Sequence, residues 1–199
     1  MNTYPSAYEA DMSTRDPLAG VGAEFPARWS PRSFKKTSIA QEDLAIIFDA
    51  ARWAPSAYNE QPWRILTSTE ETFDTFLGLL TKPNQKWALN ASVLGFMIAH
   101  RTFTHNGQHN GWAIYDCGAA WMSLTLQARK FGLYTHGMAG INKEGIYATF
   151  AINAEEYEVV AGFALGVLDV REKLEKPYVD WEAPSGRKPL TEVWKQGAW

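Results

Sequence analysis

A single cysteine, Cys117, in 199 residues rules out an intrachain disulfide and fits a reducing compartment. It lies in an apolar helical pattern with no neighbouring base in sequence, which marks buried filler rather than a nucleophile. Basic charge is also scarce. Nineteen Lys and Arg stand against 22 Asp and Glu, and no Lys/Arg run marks a face, so nucleic acid and anionic membrane are not expected partners. No apolar run is long enough to span a bilayer. Residues 1–25 lack the apolar core of a signal peptide, so the expected location is cytoplasmic. Of four histidines, only His105 and His109 are four apart. The polar run around them reads as a solvated loop, with a metal site the remote alternative, and no metal is expected. There is no G-x-G-x-x-G after a strand, no G-x-x-x-x-G-K-S/T and no G-x-S-x-G. Rossmann, phosphate-loop and nucleophile-elbow chemistry are thus unsupported.

Aromatic rings, by contrast, are abundant, with 9 Trp, 8 Tyr and 10 Phe. Most should fill a core or an interface, and a few could wall a flat ligand. Length suits one domain. Residues 1–20 are polar, with scattered prolines, and read as an extended arm. Residues 21–199 read as a single domain. Ser38 looks like a helix cap, followed by Leu44, Ile47, Phe48 and Ala51 at helical spacing up to Pro55. Arg64–Thr69 reads as a strand, Phe73–Leu80 as a helix, and Ser92–Ala99 as a buried strand. Trp112–Phe131 is the longest helix; its Cys117–Ala120 stretch of small residues suits either intrachain packing or a subunit interface. A β-like run at Tyr134 enters a glycine-containing loop. A short helix at Lys143–Phe150 and a strand at Glu158–Leu168 follow. The elements lack a strict βα alternation, which favours an α+β fold.

Three stretches point to chemistry. In the run Arg28-Trp29-Ser30-Pro31-Arg32, alternate positions of an extended chain would place two guanidinium groups and a hydroxyl on one side. That pattern suits an anion or a solvated basic patch. Pro55-Ser56-Ala57-Tyr58-Asn59-Glu60-Gln61-Pro62-Trp63 turns out of a helix into a strand. Gly137-Met138-Ala139-Gly140 can bring bare backbone close to a ligand.

These stretches resemble the FMN-binding elements of the nitroreductase family. Arg-x-Ser-x-Arg-x-Phe resembles its opening motif. Pro-Ser-Ala-Tyr-Asn-x-Gln-Pro-Trp resembles its Pro-Ser-Ser-x-Asn-x-Gln-Pro-Trp, with Ala57 in place of a hydroxyl. Asn84 matches a family asparagine, and Ser185-Gly186-Arg187-Lys188-Pro189 matches a C-terminal Arg-x-Pro element. The resemblance implies an α+β fold with a mixed, largely antiparallel sheet flanked by helices. It also implies a homodimer with active sites at the interface.

By the same resemblance, Arg28, Ser30, Arg187 and Lys188 hold the FMN phosphate end. Arg32 and Asn84 reach the pyrimidine edge, and Trp29 contributes backbone and packing. Pro55, Ser56, Ala57 and Asn59 come from the other subunit, with Gln61 and Trp63 structural. Met138, Ala139 and Gly140 lay backbone near the flavin N5. His136 bonds the cofactor or is satisfied within the sheet, and Trp87 shapes the substrate pocket or packs. The implied activity is an oxidoreductase using NADH or NADPH to reduce a small electron-poor acceptor (a nitroaromatic, quinone or enone) by ping-pong hydride transfer. No side chain stands out as a catalytic acid or base. The rivals are a flavin-dependent dehydrogenase, dehalogenase or flavin-destroying enzyme, with Arg101–Asn110 as a short lid, and a non-catalytic FMN-binding protein.

Overall fold

The strand Tyr157–Leu168 organises the sheet, because both of its edges are occupied. The computed structural model describes residues 3–198. Met1, Asn2 and Trp199, the outermost positions of the expected arm and domain, lie outside the described residues. The chain runs α1 (Glu24–Ala27), β1 (Phe34–Lys35), α2 (Gln41–Arg52), β2 (Trp63–Thr67), α3 (Phe73–Gly78), α4 (Lys82–Ala88), β3 (Val93–His100) and α5 (Ala113–Lys130). It continues through β4 (Leu133–Met138), α6 (Lys143–Thr149), β5 (Tyr157–Leu168), α7 (Tyr178–Trp181) and α8 (Leu190–Val193). The sheet order is β1-β5-β3-β2, with β4 on the other edge of β5. Every strand pairing is antiparallel.

Successive β3 side chains divide between two cores, as a two-residue period requires. Leu94, Phe96 and Ile98 join a cluster with Phe76, Trp87 and Ile146. Val93, Met97 and Ala99 join a cluster with Ile47, Leu124 and Phe163 on α2, α5 and β5. This explains why β3 reads as an unbroken apolar run: both of its faces are covered. Phe76 of α3 stacks on Phe96 with ring centroids 5.2 Å apart.

The sequence reading of α2, α3, α5, α6 and the main strands holds, with shifted ends. The Ser38 cap does not. The helix starts at Gln41 after Ala40, with no side-chain cap. The Tyr4 hydroxyl instead accepts the Ala40 amide at 2.9 Å and donates to Asp43 at 2.7 Å. A residue 36 positions away thus replaces the local cap. The short elements α1, β1, α4, α7 and α8 were not anticipated, since two to seven residues show little period. In α4, Pro83 sits in the first turn, where a missing N–H costs little.

Residues 3–20 form no helix or strand and lie along their own chain. The Tyr4 amide donates to the Phe131 carbonyl and the Ala7 amide to that of Leu168, both at 2.9 Å. Tyr8, Ala10 and Met12 pack on the first core cluster. No helix among the described residues is long and apolar enough to cross a membrane.

The sheet register separates the motif-bearing segments. Phe34, just after the Arg28–Arg32 run, pairs with Leu168. Trp63, just after the Pro55–Gln61 turn, pairs with Ala99, which pairs with Glu158. Those β5 levels are ten residues apart, roughly 30 Å along the strand.

Gly95 marks the tightest point of the sheet. A Cβ there would lie 2.3 Å from the Phe163 ring and 2.8 Å from the Leu66 carbonyl oxygen. Gly95→Ala should therefore destabilise the protein by about 2 kcal/mol through overpacking. The check is a lower urea midpoint at unchanged slope; an unchanged midpoint would show that Phe163 can yield freely.

Candidate functional site

Alternation in the Arg28–Ser33 run is visible in its burial. Trp29, Pro31 and Ser33 are buried, while Arg28, Ser30 and Arg32 are half-buried. The Trp29 ring sits in the core, edge-on to Tyr134, so its backbone is what remains for a ligand. Its indole N–H has no acceptor. Arg28 Nη1 donates weakly to Ser30 Oγ at 3.4 Å.

Two groups distant in sequence fix this run. The first is Glu182, only 2% exposed. Its carboxylate accepts the Arg32 amide at 2.9 Å and the Ser33 amide at 2.7 Å. Burial pushes the Glu182 carboxyl upward, while the two amides and the Arg32 charge pull it back. The second is His136, whose Nδ1 lies 2.9 Å from the Pro31 carbonyl oxygen. A carbonyl can only accept, so Nδ1 carries the proton. The ring packs 4.6 Å from that of Trp87, which is itself core. His136 is half-buried, and through this bond it holds the arginine run.

Arg28 does not stand alone. Burial lowers its pKa first, and the like charge of Arg187 lowers it further. Arg15 is lowered by burial and by both Arg187 and Arg28. Three guanidinium groups from residues 15, 28 and 187 thus share one neighbourhood. No ion pair to any of them occurs among the described residues. Arg187 is exposed and donates only to its own Ser185–Gly186 segment. Lys188 pairs loosely with Glu192 at 3.8 Å. The sequence reading missed Arg15, which belongs to no motif, and Glu182, which lies in an undistinguished polar tail.

The sequence reading of Gly137–Gly140 as a loop is half right: Gly137 and Met138 end β4, Ala139 and Gly140 follow it, and the segment presents alternating faces. Gly137 and Ala139 are exposed, while Met138 is buried in the core. Asn84 of α4 donates its side-chain amide to the Gly140 carbonyl at 3.0 Å, and the Thr81 amide donates to the same oxygen at 3.0 Å. Asn84 and the Met138–Gly140 loop are therefore one unit.

The Pro55–Gln61 turn lies apart. No hydrogen bond or ion pair joins it to Arg28–Arg32 among the described residues. Its backbone is unusual: Tyr58, Asn59 and Gln61 all have positive φ, near 50–55°. It is held by Asp116, buried at the start of α5, which accepts the Ala57 amide at 3.1 Å. Ser56 Oγ accepts the Gln61 amide at 3.0 Å. Gln61 donates its side-chain amide to Asn59, and Trp63 is buried, as expected of structural residues. The Arg101–Asn110 segment forms a small hairpin bridged at Thr102 and His109. Glu60 accepts from Thr104 across to it, and Tyr58 packs on Phe103.

The chain is similar to known flavin-dependent reductases. The model described as "Nitroreductase family" matches residues 26–77. A solved structure titled as an oxidoreductase containing FMN is 40% identical, covers 93% of this chain and 96% of its own, and superposes with a TM-score of 0.89. The Bacillus subtilis protein YdgI, provisionally named an NAD(P)H nitroreductase, is 26% identical over 64% of this chain and 78% of its own. A structure from Exiguobacterium sibiricum, provisionally named a nitroreductase and solved with FMN, is 23% identical. It covers 86% of this chain and 95% of its own, with a TM-score of 0.71, a likeness of fold.

Burial pulls the His136 pKa down to about 4, with the Arg32 charge adding and the Pro31 carbonyl opposing. The unfolded chain takes up this proton near its ordinary value of 6.5, the folded chain only near 4. The stabilisation is therefore complete above pH 6.5 and is lost as pH falls toward 4. Between pH 7 and pH 5 the wild type should lose about 2 kcal/mol more than His136→Gln, by urea unfolding. Equal losses would mean that folding does not depress the His136 pKa.

Proposed function

The chain belongs to the nitroreductase family, and from that membership we propose that it is an FMN-dependent oxidoreductase that uses NADH or NADPH. The observation that carries this reading is the guanidinium cluster of Arg28 and Arg187, which has no ion-pair partner among the described residues and suits a phosphate.

The residues present fit FMN. Arg28, Ser30, Arg187 and Lys188 would hold the phosphate end. Arg32, whose side chain is free of ion pairs and lies 5.7 Å from the Trp181 ring, would bring positive charge to the pyrimidine edge. Asn84 and the Met138–Gly140 backbone would line the same ring system, positioned by the shared bonds to Gly140. FMN held by these residues would supply two-electron hydride chemistry between a nicotinamide and an electron-poor acceptor such as a nitroaromatic, quinone or enone. The two substrates would take the same place in turn, a ping-pong order. Protein groups then orient and supply charge, and no side-chain acid or base is required.

We further propose a homodimer in which Pro55, Ser56, Ala57 and Asn59 serve the partner's site. Their separation from the arginine run along the sheet supports this. So does the outer face of α5. Cys117 and Ala120 face the core, but Ile114, Tyr115 and Gly118 are exposed, and nothing lies within 4 Å of where a Gly118 Cβ would stand. The small-residue stretch thus divides between intrachain packing and an uncovered apolar face.

The first test is the visible spectrum of the purified protein under anaerobic conditions. A bound-flavin spectrum that bleaches with NADH or NADPH is the expected result; no flavin, and none taken up from added FMN, would remove the assignment. Arg32→Ala should slow flavin reduction by about 10-fold or more while FMN is retained. Arg187→Ala should chiefly loosen FMN. Equal, negligible effects from both would contradict the placement. Gly118→Arg should convert the dimer to monomer in light scattering, and a dimer of unchanged stability would place the interface elsewhere.

A further inference from the structure

Arg15 sits on the N-terminal strap, outside every motif, yet its neighbours are the site arginines. The strap is pinned there from both sides. Thr14 Oγ1 donates to the Pro184 carbonyl at 3.0 Å, and a Cβ on Gly186 would meet the Thr14 carbonyl oxygen at 3.3 Å. The segment that carries Arg187 therefore lies directly against the residue before Arg15. Arg15 and Arg187 line one cavity of 790 Å³ together with Lys188, Phe25 and Leu190. Arg15 Nε is fully buried and has no hydrogen-bond partner among the described residues. A buried, unpaired guanidinium N–H is costly to leave so. Asp16 also lines this cavity but pairs with none of the three arginines. Packing three like charges together without a counter-charge is unfavourable unless an anion of at least one charge completes the set.

We infer that Arg15, delivered by the N-terminal strap, is a third guanidinium of the FMN phosphate site, so that docking of the strap and retention of the cofactor are one event. This rests on the FMN reading above and assigns a role to a segment that lies outside the family's matched residues. A dianionic phosphate can accept from three separate guanidinium groups, which neutralises the cluster. Riboflavin has the same ring system and ribityl chain but no phosphate, so it should not use Arg15 at all.

The experiment is a flavin-fluorescence titration of apoprotein with FMN and, separately, riboflavin. It is done for the wild type, Arg15→Gln, Arg15→Lys and Arg187→Gln. Arg15→Gln should weaken FMN binding by about 10- to 100-fold and leave riboflavin affinity unchanged. Arg15→Lys should fall between, because it keeps the charge and loses the planar fork. The unchanged riboflavin affinity also certifies that the variant is folded. If FMN affinity survives Arg15→Gln but falls in Arg187→Gln, the inference about Arg15 is overturned and the FMN site stands. Equal weakening of both flavins in Arg15→Gln would mean that the strap is merely structural, which also overturns it. A wild type that binds FMN no better than riboflavin would remove the phosphate site itself, and Arg15's role with it.

Discussion

A buried carboxylate near the C-terminus decides where the arginines stand. Glu182 accepts the backbone amides of Arg32 and Ser33, so it fixes the chain at the point where the motif enters β1. The Ser33 hydroxyl then donates to the Val170 carbonyl at 2.7 Å, locking the same turn to the end of β5. Burying a carboxylate is unfavourable in itself, and here two charge-assisted bonds and the nearby Arg32 offset it. Glu182 also lies beside Tyr8 of the strap, whose hydroxyl burial pushes up to about 12. N-terminal strap, arginine run and C-terminal tail therefore meet at one group. Because its bonds go to backbone, the neighbouring side chains remain free for other work.

That freedom explains the electrostatics of the site. The groups that anchor the run contribute little positive charge of their own. His136 is held neutral by burial and spends its only N–H on Pro31. Among the described residues Arg28, Arg32 and Arg187 form no ion pair, and the nearby Glu182 spends its carboxylate on backbone amides. Net charge of the chain is negative, so this local excess of positive charge is a matter of placement, not composition. Steady repulsion at one place in a marginally stable domain is a reservoir that an anion can release.

Much of the architecture was legible because it repeats. The periods of α2, α5 and β5 extend over several turns or pleats, and each such element was found. The motif residues were legible by resemblance, and the half-buried alternation of Arg28, Ser30 and Arg32 follows from extended-chain geometry alone. What escaped was whatever depends on partners distant in sequence. Glu182 is one acid among several in a polar tail, and only the fold shows that it faces Arg32 from 150 positions away. Arg15 is hidden likewise, since proximity to Arg187 is created by the strap's path. The Ser38 cap failed for the same reason: a tyrosine from the strap satisfied the helix start first.

The Pro55–Gln61 turn sets a further constraint. Three non-glycine residues there hold positive φ, each at a cost of roughly 1–2 kcal/mol. Asp116, Ser56 and Gln61 offset part of that cost through bonds to the turn's backbone. The side chains so displayed contribute little to their own protomer's core: Tyr58 is 82% and nearby Trp53 79% exposed. Strain retained at a turn that packs so little needs a use elsewhere. A site shared between two copies provides one, because the turn at one end of the sheet would meet the arginine end of its partner. In the homodimer proposed above, the two ends of one sheet would belong to different sites. On that reading the strained turn and the unquenched arginines are two halves of one design, each incomplete in the single chain.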